Sequence, residues 1–219
     1  MAVKTGKAGR MADTDTEIDL VLFDLGGVLI DWEPRRLYRK IFTDEAAMEQ
    51  FLATVCTPAW NLELDRGRPF AEAVAELVAH HPEQQAEILA YHERWIEMIG
   101  GPIAPTVALL EGLQAERRPL KALTNWSAET FPLVRHDPTY GFLDHFATIY
   151  VSGELGMIKP EADIFHHVLD DVALPAGRVL FIDDSAKNIA AADRLGFATH
   201  HFATAEALAA DLRRRRLLD

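Results

Sequence analysis

Residues 18–28 read IDLVLFDLGGV, an apolar run that ends in an aspartate and a glycine pair. The run is short and interrupted only by Asp19, a pattern typical of a buried strand of a parallel sheet. Asp24 follows the last apolar residue of the run, and Gly26 and Gly27 come next, where the chain must turn. In a parallel sheet this position lies at the carboxyl edge, where open α/β proteins bind their ligands. The stretch therefore predicts both a fold class and the place of a site.

Four later apolar runs predict further strands of the same sheet. They span residues 120–123, 147–151, 179–182 and, more weakly, 197–202. Helical patterns alternate with them, at residues 105–117, 127–134, 160–171 and 184–195. Strands that alternate with helices are typical of a doubly wound parallel sheet. We therefore expect a Rossmann-like α/β fold with the strand order 3-2-1-4-5 or its reverse.

The connection after the first strand is much longer than a crossover requires. It holds about 95 residues, whereas about a dozen are enough to return the chain to a parallel sheet. Helical patterns fill it, at residues 35–41, 45–55, 70–80 and 83–98. We predict a helical cap domain over residues 34–99, a core domain of residues 18–33 and 100–219, and a loose tail over residues 1–17.

Composition narrows the range of partners. The chain carries 22 Lys and Arg against 34 Asp and Glu, a net charge of −12, which opposes binding to nucleic acid or to an anionic membrane surface. Cys56 is the single cysteine, so an internal disulfide is excluded. With no apolar leader at the start of the chain, a reducing cytoplasm is the expected compartment. The oligomeric state is left open by the sequence.

Acidic side chains follow two of the predicted strands. Asp24 follows the first strand, and Asp183 and Asp184 follow the fourth. In the expected strand order these two strands flank the point where the order reverses, so their ends lie close together. Three carboxylates in one place repel one another unless a cation neutralises them, and oxygen-only ligands suit Mg²⁺. The sequence therefore predicts a Mg²⁺ site here.

Groups that suit a tetrahedral dianion follow the other strands. Thr124 and Asn125 close the second strand and offer hydrogen-bond donors, and Lys159 lies in the loop after the third strand. Together they describe a phosphate pocket. Asp24 is the natural nucleophile, because it lies first after its strand and leaves the strand direction free for in-line approach.

These residues form four ordered motifs. DLGGV at residues 24–28, Thr124-Asn125, Lys159-Pro160 and Asp183-Asp184 resemble the motifs of the haloacid dehalogenase-like hydrolases. The insertion is similar to the helical cap of the subfamily that holds the haloacid dehalogenases and many sugar phosphatases. Residues 153–160 and 181–188 most resemble the sugar-phosphate phosphatases and the phosphatase domain of epoxide hydrolases.

The resemblance implies a role for each motif residue at the metal. Asp24 would be the nucleophile and a metal ligand, and Gly26 would bind the metal through its backbone carbonyl. Asp184 would bind it directly and Asp183 through water. The dehalogenases of the family carry no metal and do not keep the acidic pair, so the pair favours phosphate over halide chemistry.

At the substrate, the resemblance implies that Thr124, Asn125 and Lys159 hold the phosphoryl group, while Asn188 braces the acidic loop. One position departs from the pattern. Phosphatases of the family usually carry a second Asp two residues after the nucleophile, which protonates the leaving group and then activates water. Here that position is Gly26.

We therefore predict a Mg²⁺-dependent phosphatase of a small phosphorylated metabolite, a sugar phosphate being one candidate, which acts through an aspartyl-phosphate intermediate. Two alternatives stay open: a 2-haloacid dehalogenase without metal, and a non-catalytic phosphometabolite-binding protein. Within the cap, Arg66 and Gly67 either project toward the substrate or form a surface turn.

Overall fold

A parallel sheet forms the centre of the computed structural model, which describes residues 17–219. The strands within these residues are β1 (Leu20–Phe23), β2 (Ile30–Trp32), β3 (Ile99–Pro102), β4 (Leu120–Thr124), β5 (Ile149–Val151), β6 (Val179–Asp183) and β7 (Ala198–His201). Five of them form the sheet in the order β5-β4-β1-β6-β7, and each neighbouring pair is parallel. Counted along these five strands the order is 3-2-1-4-5, which confirms the predicted α/β fold.

Helices cover both faces of this sheet and fill the long connection. They are α1 (Arg35–Tyr38), α2 (Glu45–Thr54), α3 (Pro58–Asp65), α4 (Phe70–His80), α5 (Gln85–Glu93), α6 (Ala104–Ala115), α7 (Phe131–Arg135), α8 (Ser152–Leu155), α9 (Ala162–Val172), α10 (Ala186–Arg194) and α11 (Ala205–Arg214). Short 3₁₀ turns occur at Pro82–Gln84, Trp95–Met98, Pro138–His145 and Ala176–Arg178. The predicted tail, residues 1–17, lies outside the described residues except for Glu17.

The core helices lie close to their predicted positions, with one difference. A helix was expected from Ser127, whereas α7 begins at Phe131. The Ser127 hydroxyl accepts a hydrogen bond from the backbone N–H of Glu129, at 3.2 Å, within a turn that precedes the helix. The side chain of Ser127 therefore stabilises a local turn instead of the first turn of a helix, a competition that is usual for serine.

We refer to residues 34–99 as the cap segment. Its predicted helix at residues 70–80 is present with the same bounds, but the pattern over 83–98 is divided between α5 and two 3₁₀ turns. The two ends of the segment are joined by β2 and β3, which pair antiparallel as a separate two-stranded ribbon. The ribbon and α3 were not predicted. The division of the chain into two domains remains a prediction.

Burial of the sheet follows the alternation of side chains along each strand. In β1, Val21 and Phe23 belong to one apolar cluster, and Leu20 and Leu22 belong to another. The first cluster continues without a break into the buried residues of the cap segment, and the second lies under α9 and α10. The cap segment therefore shares one apolar core with the face of the sheet that carries Val21 and Phe23.

Helix α6 shows how burial determines stability in this fold. Its buried residues, Thr106, Leu110 and Leu113, lie three or four positions apart, which places them on one helical face. Leu110→Ala should lower the free energy of unfolding by about 2–5 kcal/mol, because the side chain is 0% exposed and leaves a cavity. Leu133→Ala, at a leucine that is 52% exposed, is the matched control and should cost less than about 0.5 kcal/mol. Chemical denaturation measures both, and equal losses would contradict this packing.

Candidate active site

A buried lysine connects two acidic residues at the centre of the site. The Lys159 Nζ atom donates to Asp183 Oδ2 at 2.7 Å and to the carbonyl of Leu123 at 2.9 Å, and lies 2.9 Å from Asp24 Oδ2. The side chains of Lys159 and Asp183 are both 0% exposed. All three protons of the ammonium group therefore have an acceptor. This arrangement joins the ends of β1, β4 and β6 at the point where strand order reverses.

Asp183 is held by its own loop. Its Oδ1 atom accepts hydrogen bonds from the backbone N–H of Ser185, at 2.8 Å, and from Asn188 Nδ2, at 3.0 Å. The same amide nitrogen lies 3.0 Å from Asp183 Oδ2. Asn188 is in α10, directly after the loop, so the helix positions its amide against the carboxylate. Asn188 thus contacts the carboxylate of Asp183, and its role as a brace of the acidic loop remains a prediction.

The three acidic residues converge at one point. Asp24, Asp183 and Asp184 each offer a carboxylate oxygen, and these oxygens all lie within 4.8 Å of one another. Burial is the main reason that the pKa of Asp24 lies well above its usual range, although Lys159 acts to lower it. Burial and the neighbouring Asp183 also raise the pKa of Asp184. One lysine does not balance three carboxylates, and an all-oxygen donor set of this charge fits a hard divalent cation such as Mg²⁺.

The loop after β1 has one glycine that its geometry requires. Gly27 has a φ of +71°, and a Cβ atom there would overlap the carboxylate of Asp184. Gly26 is different, since a Cβ atom built on it meets no atom within 4 Å. The Asp24 carboxylate is positioned in the same loop by the backbone N–H of Leu25, which donates to Oδ1 at 2.7 Å. The backbone thus lets Asp184 approach Asp24 and leaves open space beside Gly26.

The side-chain amide of Asn125 forms hydrogen bonds with the loop that carries Lys159. Its Nδ2 atom donates to the Lys159 carbonyl at 3.0 Å, and its Oδ1 atom accepts from the Lys159 backbone N–H at 3.0 Å. These two bonds fix the backbone of Lys159 from both sides. Thr124 is buried at the end of β4, beside this contact. The structure brings both residues to the site, and their predicted contact with a phosphoryl group remains a prediction.

A cavity opens above these residues and is shared between the core and the cap segment. Gly26, Asn125 and Trp126 line it from the core. From the other side it is lined by Trp32, Asn61, Asp65 and Trp95. A wider cleft of about 500 Å³ runs through the cap segment and shares Trp32 and Asn61 with the cavity. The site therefore has room for an organic group beyond the acidic centre.

Sequence reasoning did not identify the cap residues of this cavity. The sequence offered Arg66 and Gly67 as residues that could face the substrate. Arg66 does not line the cavity, because its guanidinium forms two hydrogen bonds to Glu161, at 2.6 and 2.8 Å. Asp65, one residue earlier, faces the cavity instead. A signal for its helix was present: Thr57 accepts a hydrogen bond from the backbone N–H of Trp60, and Pro58 follows it. A threonine cap followed by proline is a typical helix start.

Known proteins are similar to this chain over most of its length. A family model described as haloacid dehalogenase-like hydrolase matches residues 18–196. The sesquiterpene phosphatase astK of Aspergillus oryzae (strain ATCC 42149 / RIB 40) is 25% identical over 198 residues, which are 90% of this chain and 96% of the relative.

Two solved structures are similar over most of their length. A predicted HAD-like family hydrolase from Porphyromonas gingivalis has a TM-score of 0.68 and 26% identity, covering 90% of this chain and 98% of that one. The HAD family enzyme bt-2542 of Bacteroides thetaiotaomicron, in complex with magnesium and inorganic phosphate, has a TM-score of 0.61 and 25% identity, covering 84% and 93%.

The helices of residues 17–219 include none with the length and apolar character needed to cross a membrane.

Replacing the buried lysine tests the electrostatics of the site. Lys159→Met should lower the free energy of unfolding by about 3–5 kcal/mol at neutral pH, because it leaves two buried carboxylates without their cation. This loss in the free energy of unfolding should become smaller as the pH falls, because Asp24, whose pKa is raised, is protonated first and no longer needs a counter-charge. Denaturation in the presence of a metal chelator measures this effect. Lys187→Met, at an exposed lysine, is the control, and a deficit that does not change with pH would contradict the account.

Proposed function

The chain belongs to the haloacid dehalogenase-like hydrolases, and we propose that it is a Mg²⁺-dependent phosphatase of small phosphorylated metabolites. One observation carries the proposal: three carboxylates meet across the switch point of the sheet around a buried lysine. The phosphatase among the relatives and the phosphate-bound and magnesium-bound neighbour support the same chemistry.

Asp24 is the nucleophile in this proposal. One of its carboxylate oxygens forms a bond to phosphorus while the ester P–O bond breaks, which yields an aspartyl phosphate and a leaving oxygen that must take up a proton to become the alcohol. Lys159 lies against the Asp24 carboxylate and opposes the rise in pKa that burial causes, so it favours the ionised form of the nucleophile. The same ammonium group reduces the repulsion between the carboxylate and an incoming phosphate dianion.

The residues that would hold Mg²⁺ are Asp24, Asp184, the backbone carbonyl of Gly26 and, through water, Asp183. When bound, Mg²⁺ would neutralise the excess negative charge and stabilise the charge on the phosphoryl oxygens. Asn125 keeps Lys159 in place through its two backbone contacts, and Thr124 lies beside it with a hydroxyl group. The chain itself thus supplies the nucleophile, the counter-charge and the donors.

The cavity and the cleft indicate the organic part of the substrate. Trp32, Trp95 and Trp126 line the cavity, and the cleft beyond Trp32 includes Leu52 and Tyr91. These aromatic and apolar side chains gain more from contact with an apolar group than from a sugar with many hydroxyl groups. The charged residues of the cleft, Arg35, Glu33 and Glu49, form ion pairs with one another. We therefore propose an isoprenoid alcohol phosphate as the substrate, in place of the sugar phosphate that the sequence suggested. The sesquiterpene phosphatase among the relatives supports this choice.

The metal and the nucleophile can be tested separately. Asp24→Asn should abolish phosphatase turnover while the protein remains folded. Asp184→Asn should weaken Mg²⁺ binding beyond the about 10- to 100-fold loss typical of an indirect partner, because it removes a direct ligand. Steady-state rates with 4-nitrophenyl phosphate and a Mg²⁺ titration followed by calorimetry measure the two effects. Asp163→Asn, at an exposed carboxylate of α9, is the control and should change neither.

The alternatives give different results in the same assays. A 2-haloacid dehalogenase would release halide from 2-chloropropionate without metal and would ignore Mg²⁺. A binding protein would be stabilised by phosphate but show no turnover. Near wild-type activity in Asp24→Asn would exclude Asp24 as the nucleophile.

The substrate class can be tested with two esters. We expect a higher kcat/KM for farnesyl phosphate than for glucose 1-phosphate, because the tryptophans and the cleft bury an apolar chain. Trp32→Ala should lower kcat/KM for the prenyl ester about 10-fold, the equivalent of about 1.4 kcal/mol, and affect the sugar ester less. Ile96→Ala, at an exposed apolar residue, is the control. An equal or higher rate with the sugar ester would overturn this choice of substrate.

A further inference from the structure

The proposed reaction needs a proton donor for its leaving group. A simple alkoxide is a poor leaving group, and a positioned acid accelerates its departure by about 10²- to 10⁴-fold. Gly26, at the position where the family's phosphatases usually carry an acid, has no side chain. The space beside Gly26 is open and faces the cavity. An acid that served this site would therefore have to come from another element.

We propose that Asp65 of the cap segment is the general acid and base of the reaction, in place of a residue at position 26. This inference rests on the proposed phosphatase function. Asp65 ends α3 and lines the same cavity as Gly26 and Asn125, on the side of the cap segment.

Three contacts hold this part of the cap segment on the core. The Ser152 hydroxyl donates to the backbone carbonyl of Asp65 at 2.5 Å. Arg66 binds Glu161 through both guanidinium NH₂ groups. Gly67 lies so close to Gly153 that a Cβ atom on it would come within 2.7 Å of the Gly153 carbonyl oxygen. These contacts fix the turn on the loop that carries Lys159.

None of these contacts uses the carboxyl group of Asp65. The side chain is positioned instead by a short chain of hydrogen bonds within the cap segment. Asn61 Nδ2 donates to Asp65 Oδ2 at 2.8 Å, and the Tyr91 hydroxyl donates to Asn61 Oδ1 at 2.7 Å. The backbone N–H of Ser127, in the core, faces the same carboxyl group. The carboxyl group is thus oriented at the cavity wall from both the cap segment and the core.

The environment of this carboxyl group suits proton transfer. Burial raises the pKa of Asp65 to about 7, against the opposing effects of the Ser127 backbone N–H, Asn61 and the charge of Lys159. Tyr91 is the other titratable group beside it, and burial keeps the pKa of its hydroxyl well above the usual range. A group with a pKa near neutrality can both give and accept a proton at working pH.

The two steps balance with Asp65 in this role. In the first, Asp24 bonds to phosphorus, the ester P–O bond breaks, and the leaving oxygen takes the proton of the Asp65 carboxyl group to become an alcohol. In the second, the Asp65 carboxylate takes a proton from a water molecule whose oxygen attacks the phosphorus. The bond between phosphorus and Asp24 then breaks, which releases inorganic phosphate and restores both residues.

The test is the dependence of kcat/KM on the leaving-group pKa, measured with a series from 4-nitrophenyl phosphate to a simple alkyl phosphate. Asp65→Asn keeps the hydrogen bond from Asn61 but cannot give a proton. It should lower kcat/KM for the alkyl ester by about 10²- to 10⁴-fold and change that for 4-nitrophenyl phosphate little. Glu63→Gln, at an exposed acid of the same helix, should behave as wild type.

Two further readouts separate an acid from a structural residue. The wild-type kcat/KM for the alkyl ester should fall above about pH 7, and Asp65→Asn should lose this decline. Adding Gly26→Asp to Asp65→Asn should restore part of the alkyl rate, because a Cβ at Gly26 meets no neighbour. A merely structural defect would not be rescued at that position.

An equal loss across the series, or a wild-type slope in Asp65→Asn, would overturn the inference while leaving Asp24 and the phosphatase function intact. If wild type hydrolyses no ester, the proposed function fails and the role of Asp65 fails with it. If Asp65→Asn does not fold, the leaving-group and pH dependences of the wild-type protein test the inference on their own. A shallow slope with the decline near pH 7 supports Asp65, and a steep slope without that decline excludes it.

Discussion

The contact of Lys159 with Asp24 and Asp183 is the interaction on which the site depends. A fully buried ammonium group between two carboxylates is stable only when every one of its protons is bonded, and here the carbonyl of Leu123 completes the set. Because the three partners come from the ends of three neighbouring strands, the order of the sheet is a condition for the contact. Asp184 adds a third carboxylate, so the negative charge of the site exceeds the single positive charge of Lys159. This excess makes the site suited to a divalent cation.

The core and the cap segment contribute different groups to the proposed reaction. In the proposed reaction, the core would provide the nucleophile, the counter-charge and the metal ligands on rigid strand ends, whereas the cap segment would provide the apolar wall and a carboxyl group. Arg66 with Glu161, and Ser152 with the carbonyl of Asp65, hold the two sets of residues on opposite sides of one cavity. A preorganised arrangement of this kind needs little movement of charged groups during the reaction.

The core of this arrangement could be predicted from the sequence because its signals are local. Short apolar runs that end in Asp24, Asn125 or Asp183 indicate both a strand and the edge at which it stops. The cap side of the site could not be predicted in this way. The ribbon of β2 and β3 joins residues about seventy positions apart, and Gly100 and Gly101 suggest a turn until the pairing partner is known. Asp65 follows no motif, and its role depends on burial against Ser127 and Ser152, contacts that only the folded chain creates.

Transfer of the phosphoryl group to Asp24 is the central claim, and trapping of the covalent enzyme tests it most directly. The wild-type protein would be mixed with Mg²⁺ and 4-nitrophenyl phosphate, quenched in acid within one turnover, digested and analysed by mass spectrometry. The account predicts one added phosphoryl group on the peptide that contains Asp24, and none when Asp24 is replaced by Asn. Turnover without any phosphorylated peptide, or with the phosphoryl group on another residue, would contradict it.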